Sequence, residues 1–250
     1  MTRNFTYSAL VLRARPSGID NREITFLTAE AGLIRATVFG GAKSKLRAHT
    51  EPYHQGTLWI YQDSAKDFRK VSDFDVRFWR PGIREGYERT MTAVSVAETI
   101  LESCGGGGEW AASLALAGRT LNALDQASAG TCRRIAVSFF WHWPELLGQR
   151  PDIRRCASCA CEASGDGVLW YSRLQGSFLC APCAARSQEP RLNFLSLGPG
   201  ARRWLAAVEG LDPALLARYT LDQTALEEAE AFSTALIAGI LGKRLASWNY

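Results

Sequence analysis

Alternating apolar and polar positions run through the first 80 residues and predict a set of short β-strands. The strand-like runs lie at residues 7–14, on either side of a polar turn at 29–32, at 56–62 and at 68–79. In the last run a period of two places Val71 and Phe74 on opposite faces of a half-buried strand. Five short strands predict a small closed or sandwich-like β-domain. An OB-fold has the best-fitting size, and the pattern also leaves an SH3-like barrel open.

Beyond Pro81 and Gly82 the hydrophobic pattern becomes helical. Residues 84–104 fit one helix, which the glycines at 105–108 end, and Cys104 on its apolar face is expected to be a buried thiol. Further helical segments are predicted at residues 110–127, 131–148, 198–210, 212–219 and 224–248. The pattern therefore predicts a β-domain followed by helices, with a cysteine-bearing segment between two groups of helices.

Four of the seven cysteines form two C-x-x-C pairs, Cys156 with Cys159 and Cys180 with Cys183, with 20 residues between the pairs. A two-residue spacing lets both sulfur atoms of a pair reach one ion, and two such pairs about 15–20 residues apart are typical of a tetrahedral zinc site. Four thiolates leave no open coordination position, so one structural Zn²⁺ per chain is predicted. Cys161 remains an alternative to Cys159 as a metal ligand.

The predicted architecture is therefore α+β. Residues 1–80 form an N-terminal five-stranded OB-fold β-barrel, and an α-helical domain follows in two parts, 81–149 and 188–250. A four-cysteine zinc ribbon at 150–187 is inserted between these two parts, because the apolar runs between the cysteine pairs read as a hairpin.

Positive charge is concentrated in the predicted barrel. The chain has a net charge of +4, whereas residues 1–80 hold 13 Lys and Arg against 8 Asp and Glu, a net +5. An anionic partner is therefore expected there, and nearby aromatic residues fit a single-strand-binding groove. The expected phosphate contacts are Arg35, Lys43, Lys45, Arg47, Arg69 and Lys70.

Residues 10–61 resemble the N-terminal OB-fold of the bacterial recombination mediator family RecO. The resemblance rests on a T-x-E-x-G turn at 28–32, the loop "GGAKSKLRA" at 40–48 and a P-Y-x-x-G segment at 52–56. The helical region and the C-x-x-C pairs also lie where this family places them.

The resemblance implies a DNA-repair and recombination protein, not an enzyme, that binds single-stranded and double-stranded DNA and anneals complementary strands. With RecR it would help to load RecA on DNA coated with single-strand-binding protein (SSB). The acidic, apolar C-terminal tail of SSB would bind a groove of the helical domain, with Arg133 and Arg134 at its rim. The implied location is the bacterial cytoplasm, in association with the nucleoid.

Two other classes compete with this interpretation. A zinc-ribbon and OB-fold RNA-binding protein of translation or transcription would have the same distribution of charge. A zinc hydrolase is the enzyme alternative, but the sequence lacks a phosphate-binding loop motif, and its three histidines lie away from the cysteine pairs. The sequence also has no apolar run of signal-peptide or membrane-helix length, which predicts no membrane partner and a cytoplasmic protein.

Overall fold

The computed structural model describes residues 3–40, 44–63, 65, 67–163 and 166–249. Contacts between residues divide the chain into a first unit, Met1–Gln126, and a second unit, Ala127–Tyr250. The first unit contains β1 (Asn4–Ser17), β2 (Asn21–Thr28), β3 (Gly32–Val38), α1 (Lys45–His49), β4 (Gln55–Asp63), β5 (Phe68–Phe78), α2 (Tyr87–Glu102) and α3 (Trp110–Asp125). The second contains α4 (Ala129–Leu146), β6 (Leu169–Ser172), β7 (Ser177–Cys180), α5 (Ala181–Arg186), β8 (Phe194–Leu197), α6 (Pro199–Val208) and α7 (Gln223–Leu241).

The five strands of the first unit close into a barrel with the order β1-β2-β3-β5-β4. All pairings are antiparallel except that of β3 with β5, which meet in parallel at Thr37 and Lys70. Helix α1 lies between β3 and β4 in the chain. This order is that of an OB-fold, so the predicted OB-fold barrel is confirmed. Its interior is filled by aliphatic residues and by Phe26 and Phe74, whose rings meet edge to face.

Three β-bulges interrupt the alternation of side chains, one in β1 and two in β5, where the partners of β4 also skip from Val76 to Phe78. In β1, Val11 pairs with Phe26 and Arg13 with Thr25, so Leu12 is an extra residue. In β5 the partners skip from Val71 to Asp73, which leaves Ser72 extra. A bulge shifts the alternation by one position and bends the strand, as the closure of a small barrel requires. The bulge at Ser72 buries both Val71 and Phe74, so the prediction that they lie on opposite faces was wrong.

The predicted turn at residues 28–32 is held by a side chain. The Thr28 hydroxyl donates to the carbonyl of Gly32 at 2.9 Å and accepts from the N–H of Ala31 at 3.2 Å. Gly32 has a φ of +66°, a left-handed conformation in which a side chain would be strained. The carboxylate of Glu30 accepts from the backbone N–H of Ser8. Each of the three defining residues of the motif therefore has a local structural role.

Helix α2 ends earlier than the pattern predicts. Its last residue is Glu102, and Cys104 follows in a turn with a φ of +55°. The thiol of Cys104 is exposed, so the expectation of a buried thiol was wrong. The four following glycines separate α2 from α3, as predicted.

The second unit is built around α4 and α7. Trp141 of α4 and Phe232 of α7 are both fully buried, with their ring centroids 5.8 Å apart. A small sheet with the order β7-β6-β8 packs here, since Tyr171 of β6 and Phe178 of β7 both contact the ring of Phe232. The third strand, β8, was not predicted from the sequence. Within the residues that the structure describes, no helix is long and apolar enough to cross a membrane.

Candidate metal centre and nucleic-acid interface

The two cysteine pairs meet at one point of the second unit. The sulfur atoms of Cys156, Cys159, Cys180 and Cys183 all lie within 4.8 Å of one another. Four sulfurs bound to one ion at about 2.3 Å in a tetrahedron are about 3.8 Å apart. The sulfur atoms of Cys159 and Cys180 are separated by 3.8 Å. The cluster could therefore hold a metal ion through four thiolates.

A tight turn presents the first pair. The N–H of Ala160 donates to the carbonyl of Cys156 at 2.9 Å, and the N–H of Cys156 donates to the carbonyl of Cys161 at 3.0 Å. This closed turn points both sulfurs of the pair in one direction. It requires Ala160 to adopt a φ of +57°, a left-handed conformation that costs an L-residue about 1 kcal/mol.

The second pair lies at the start of a short helix. Cys180 is the last residue of β7 and the N-cap of α5, and Cys183 is in the first turn of that helix. Pro182 follows the cap, where its missing N–H costs no helical hydrogen bond. A strand followed at once by a helix therefore presents these two sulfurs to the same point as the first pair.

The cluster favours negative charge on some of its sulfurs. Burial would raise the pKa of Cys156, but backbone N–H groups, of Cys180 above all, lower that pKa to about 6. Arg186 donates to the sulfur of Cys183 at 3.4 Å. The N–H of Cys183 lowers the pKa of Cys180, but burial and the neighbouring thiols outweigh it and raise this pKa to about 12. Thiolates this close repel one another, and a bound cation is what relieves the repulsion.

The β6–β7 hairpin joins the cluster to the helical core. Side chains on a hairpin alternate between its two faces. Trp170 and Leu179, which face each other across the strands, pack against the cysteine cluster. The neighbouring pair, Tyr171 and Phe178, lies on the other face, against Phe232 of α7. The hairpin therefore packs on both faces, one against the cysteine cluster and the other against α7, and the cysteine site stabilises it.

Cys161 lies beside the cluster without belonging to the set of four. Its sulfur is 3.2 Å from that of Cys159, and both side chains are exposed. The sequence leaves open which of the two completes the set. The structure brings Cys159 together with the other three.

The outer surface of the barrel carries a row of cations that the strand register brings next to one another. Arg13 of β1 pairs with Thr25 of β2, and Thr25 pairs with Arg35 of β3. Two pairs further along, on the same face, Arg15 pairs with Glu23, Glu23 pairs with Thr37, and Thr37 pairs with Lys70 of β5. The strand register thus brings together Arg13, Arg15, Arg35 and Lys70, and Arg69 lines one groove with Arg13 and Arg35. We call these five residues the cationic face.

The six predicted phosphate contacts divide between this face and the loop after β3. Arg35 and Lys70 are exposed and Arg69 is half-buried, with its Nε donating to Gln62 at 3.2 Å. The ammonium of Lys70 lies 5.6 Å from the centre of the Phe39 ring.

The loop cations occupy a different place. Lys45 and Arg47 are in helix α1, and Arg47 lines a small pocket with Arg22 and Glu51, which form an ion pair at 2.6 Å. Lys43 lies outside the described residues. The structure therefore does not gather all six predicted residues on one surface.

Sequence reasoning missed Arg13 and Arg15. Both belong to the first strand, far in sequence from the basic loop, and only the pairing of three strands brings them beside Arg35. The available signal was the pattern R-x-R at residues 13–15, since two positions apart on a strand means one face.

The two arginines proposed at the partner surface are near the start of α4. Arg133 forms an ion pair with Glu230 of α7, in which its Nη2 donates a hydrogen bond to the carboxylate. This hydrogen bond raises the pKa of Arg133. Arg134 donates from Nη2 to the hydroxyl of Thr131 at 3.1 Å. Its Nε is buried and has no hydrogen-bond partner within the described part of the chain.

A five-stranded OB barrel, a helical region and a four-cysteine cluster in one chain define a class of OB-fold proteins with a cysteine-bearing segment that could hold a metal ion. The chain belongs to the RecO family. Residues 1–77 match the model "Recombination protein O N terminal", and residues 84–249 match "Recombination protein O C terminal".

Curated relatives carry the same family name. The chain is 28% identical over 257 residues to "DNA repair protein RecO" of Anaeromyxobacter sp. (strain Fw109-5), an alignment that covers 100% of this chain and 96% of the relative. It is 29% identical over 184 residues to the protein of that name from Pelotomaculum thermopropionicum, covering 73% and 69% of the two chains. For the protein of that name from Bacillus subtilis, identity is 28% over 178 residues, covering 70% and 66%.

Proposed function

We propose that this protein binds single-stranded and double-stranded DNA and anneals complementary strands. With RecR it helps to load RecA on DNA that SSB covers. Family membership over both halves of the chain supports this role. The observation that carries it is the cationic face, because a row of cations across adjacent strands matches the regular charges of a nucleic-acid backbone. The role is binding, and no chemical step is part of it.

We assign DNA binding, partner contacts and metal binding to different parts of the chain. Residues 1–80 bind DNA, and the helical parts at 81–149 and 188–250 provide contacts for partner proteins. The segment 150–187 holds one structural Zn²⁺ through Cys156, Cys159, Cys180 and Cys183. The closed set of four sulfurs supports zinc, since thiolate ligands in a tetrahedron are its typical structural environment. The protein acts in the cytoplasm, in association with the nucleoid.

Binding of the SSB tail is assigned to the start of α4. Arg134, whose Nε has no hydrogen-bond partner in the described residues, is the better anion contact. Arg133 would first have to break its ion pair with Glu230 before it could bind the tail. Changing Arg134→Glu should weaken binding of an SSB-tail peptide about tenfold, and Arg218→Glu, at an exposed position of the same unit, should not. Equal affinity of Arg134→Glu and the wild type would contradict this placement.

Strand annealing tests the function itself. Complementary oligonucleotides, one carrying a fluorophore and the other a quencher, are mixed with the protein, bare or coated with SSB. We expect faster annealing than without protein in both conditions. Absence of acceleration with either substrate would overturn the annealing function. Competition with RNA of the same sequence distinguishes DNA binding from the RNA-binding alternative. Tighter binding of RNA than of DNA would favour an RNA-binding protein.

A further inference from the structure

The cationic face borders a groove on the outside of the barrel. The groove has a volume of about 880 Å³, within the roughly 300–1,000 Å³ typical of ligand sites. Its floor is the outer face of β2 and β3, including Thr25 and Thr37. The end of α2 and Trp110 also line it, as do Phe68 and Arg69 at the start of β5. All these residues belong to the first unit.

The arginines of the groove lie near carboxylates of the described chain without forming ion pairs with them. Arg13, Arg35 and Arg69 line it, and none of the three forms an ion pair with a carboxylate of the described residues. The Nε of Arg13 is buried and has no hydrogen-bond partner there. Burial, and then the charges of Arg15 and Arg35, lower the pKa of Arg13, and Glu102 and Glu23 oppose this shift without cancelling it. An anion between Arg13 and Arg35 would relieve this repulsion.

The groove is not a site for a bare anion. Glu23, Asp67 and Glu102 also line it, so its charges are mixed. A nucleotide combines an anionic phosphate with a base whose edge carries N–H donors, and carboxylates accept hydrogen bonds from such donors. The mixed lining therefore fits a nucleotide better than it fits phosphate alone.

Two aromatic rings complete the fit. Phe68 and Trp110 both line the groove. The indole of Trp110 lies against Gly32, where an added Cβ would be 2.9 Å from the ring, so its position is fixed by the backbone of the β2–β3 turn. Nucleobases stack on such rings whatever their sequence.

We propose that this groove binds one unpaired nucleotide of a DNA single strand. The phosphate lies between Arg13 and Arg35, and the base enters alongside Phe68 and Trp110. A base in a duplex is stacked and paired, so it cannot enter, and the groove favours single strands. This inference rests on the proposed DNA binding and deepens it, because it assigns base contacts to a surface that otherwise holds phosphates alone.

The test compares two DNA 12-mers with identical phosphates, one of thymidines and one of abasic residues. Affinities are measured by fluorescence anisotropy for the wild type, for Phe68→Leu and for Trp110→Leu. Leucine keeps apolar bulk but removes the stacking surface. The matched control is Phe5→Leu, since Phe5 is a partly exposed phenylalanine, 37% accessible, on the same barrel and outside the groove.

We expect the wild type and Phe5→Leu to bind the thymidine 12-mer about tenfold more tightly than the abasic one. In Phe68→Leu and Trp110→Leu this preference should fall to about threefold or less, while the salt dependence of binding stays unchanged. A wild type without preference for bases would overturn the inference and leave phosphate binding intact. A preference that both folded variants keep would also overturn it. No binding of either oligonucleotide would instead contradict the proposed DNA binding itself.

Discussion

Arg80 and Asn122 join the end of the barrel to helix α3. The Nε of Arg80 donates to the side-chain oxygen of Asn122 at 2.7 Å, and its other nitrogens donate to the carbonyl of Tyr53 and the side chain of Gln55. Arg80 is only 4% exposed, and burial lowers its pKa to about 10. One buried guanidinium therefore satisfies acceptors from two separate segments of the first unit, residues 53–55 and helix α3.

Replacing this guanidinium should destabilise the first unit strongly. Arg80→Met keeps much of the volume but leaves several buried acceptors unpaired, so we expect a loss of about 3 kcal/mol in the free energy of unfolding. The measurement is chemical denaturation. Arg84→Met is the control, because Arg84 is exposed and donates at 3.2 Å to a single carbonyl, of Pro52. A loss for Arg80→Met no larger than that of the control would contradict this role.

A buried histidine should make the first unit sensitive to acid. His54 is 3% exposed, and its Nδ1 hydrogen bonds to the carbonyl of His49 at 2.9 Å. Burial lowers its pKa below the ordinary 6.5; Arg84 and Arg80 lower it further, and Glu51 opposes them. The unfolded chain therefore binds more protons than the folded one, and stability falls as the pH drops below about 6.5.

His54→Asn should remove part of this pH dependence. An asparagine amide can keep the hydrogen bond to the carbonyl of His49 without titrating. We expect the stability of the variant to fall less than that of the wild type between about pH 7 and pH 5. Urea denaturation at several pH values checks this. Parallel curves for the two proteins would show that His54 is not the titrating group.

The left-handed residue of the first cysteine turn offers a stabilising change. Ala160 has a φ of +57°, so Ala160→Gly should stabilise the ribbon by about 0.5–1 kcal/mol. Ala157→Gly, in the same turn at negative φ, should instead be neutral or destabilising. The readout is metal retention against a competing chelator. Equal retention by both variants would mean that the turn stores no strain.

Metal content distinguishes the four clustered cysteines from their neighbour. We expect about one zinc per chain in wild-type protein and in Cys161→Ser, and much less in Cys183→Ser. DNA binding by the barrel should survive in both variants, since the role proposed for the metal is structural. Elemental analysis of reduced protein gives the answer. Full zinc in Cys183→Ser, or its loss in Cys161→Ser, would show that the ligand set is different.

Local patterns in the sequence were enough for the strands of the barrel, the longer helices and the cysteine cluster. Short spacings such as C-x-x-C and T-x-E-x-G act within one turn, so their geometry follows from the sequence alone. The bulges at Leu12 and Ser72 could not be predicted, because they arise from how the strands close on one another. β8 was missed because its four residues are too few for a period to show.

The same limit explains why the sequence alone does not reveal the cationic face. A run of cations near residue 45 is visible in the sequence, and it favours the loop as a phosphate-binding site. Arg13 and Arg35 become neighbours only through the register of three strands, which a sequence pattern does not contain. The wrong expectation for Cys104 has a similar origin, since a period of 3.6 residues does not mark the turn at which a helix ends.

The salt dependence of binding to single-stranded DNA tests the central claim most directly. Each phosphate contact contributes roughly −0.7 to the slope of log affinity against log salt, so four to six contacts predict about −3 to −4 for the wild type. The variant Arg13→Ala/Arg35→Ala/Lys70→Ala should flatten this slope by about 2 and weaken binding to all sequences alike. The control Arg119→Ala/Arg173→Ala/Arg218→Ala removes the same charge from exposed positions outside the cationic face and should keep the wild-type slope. A folded first variant with the wild-type slope would contradict the assignment of DNA binding to the cationic face.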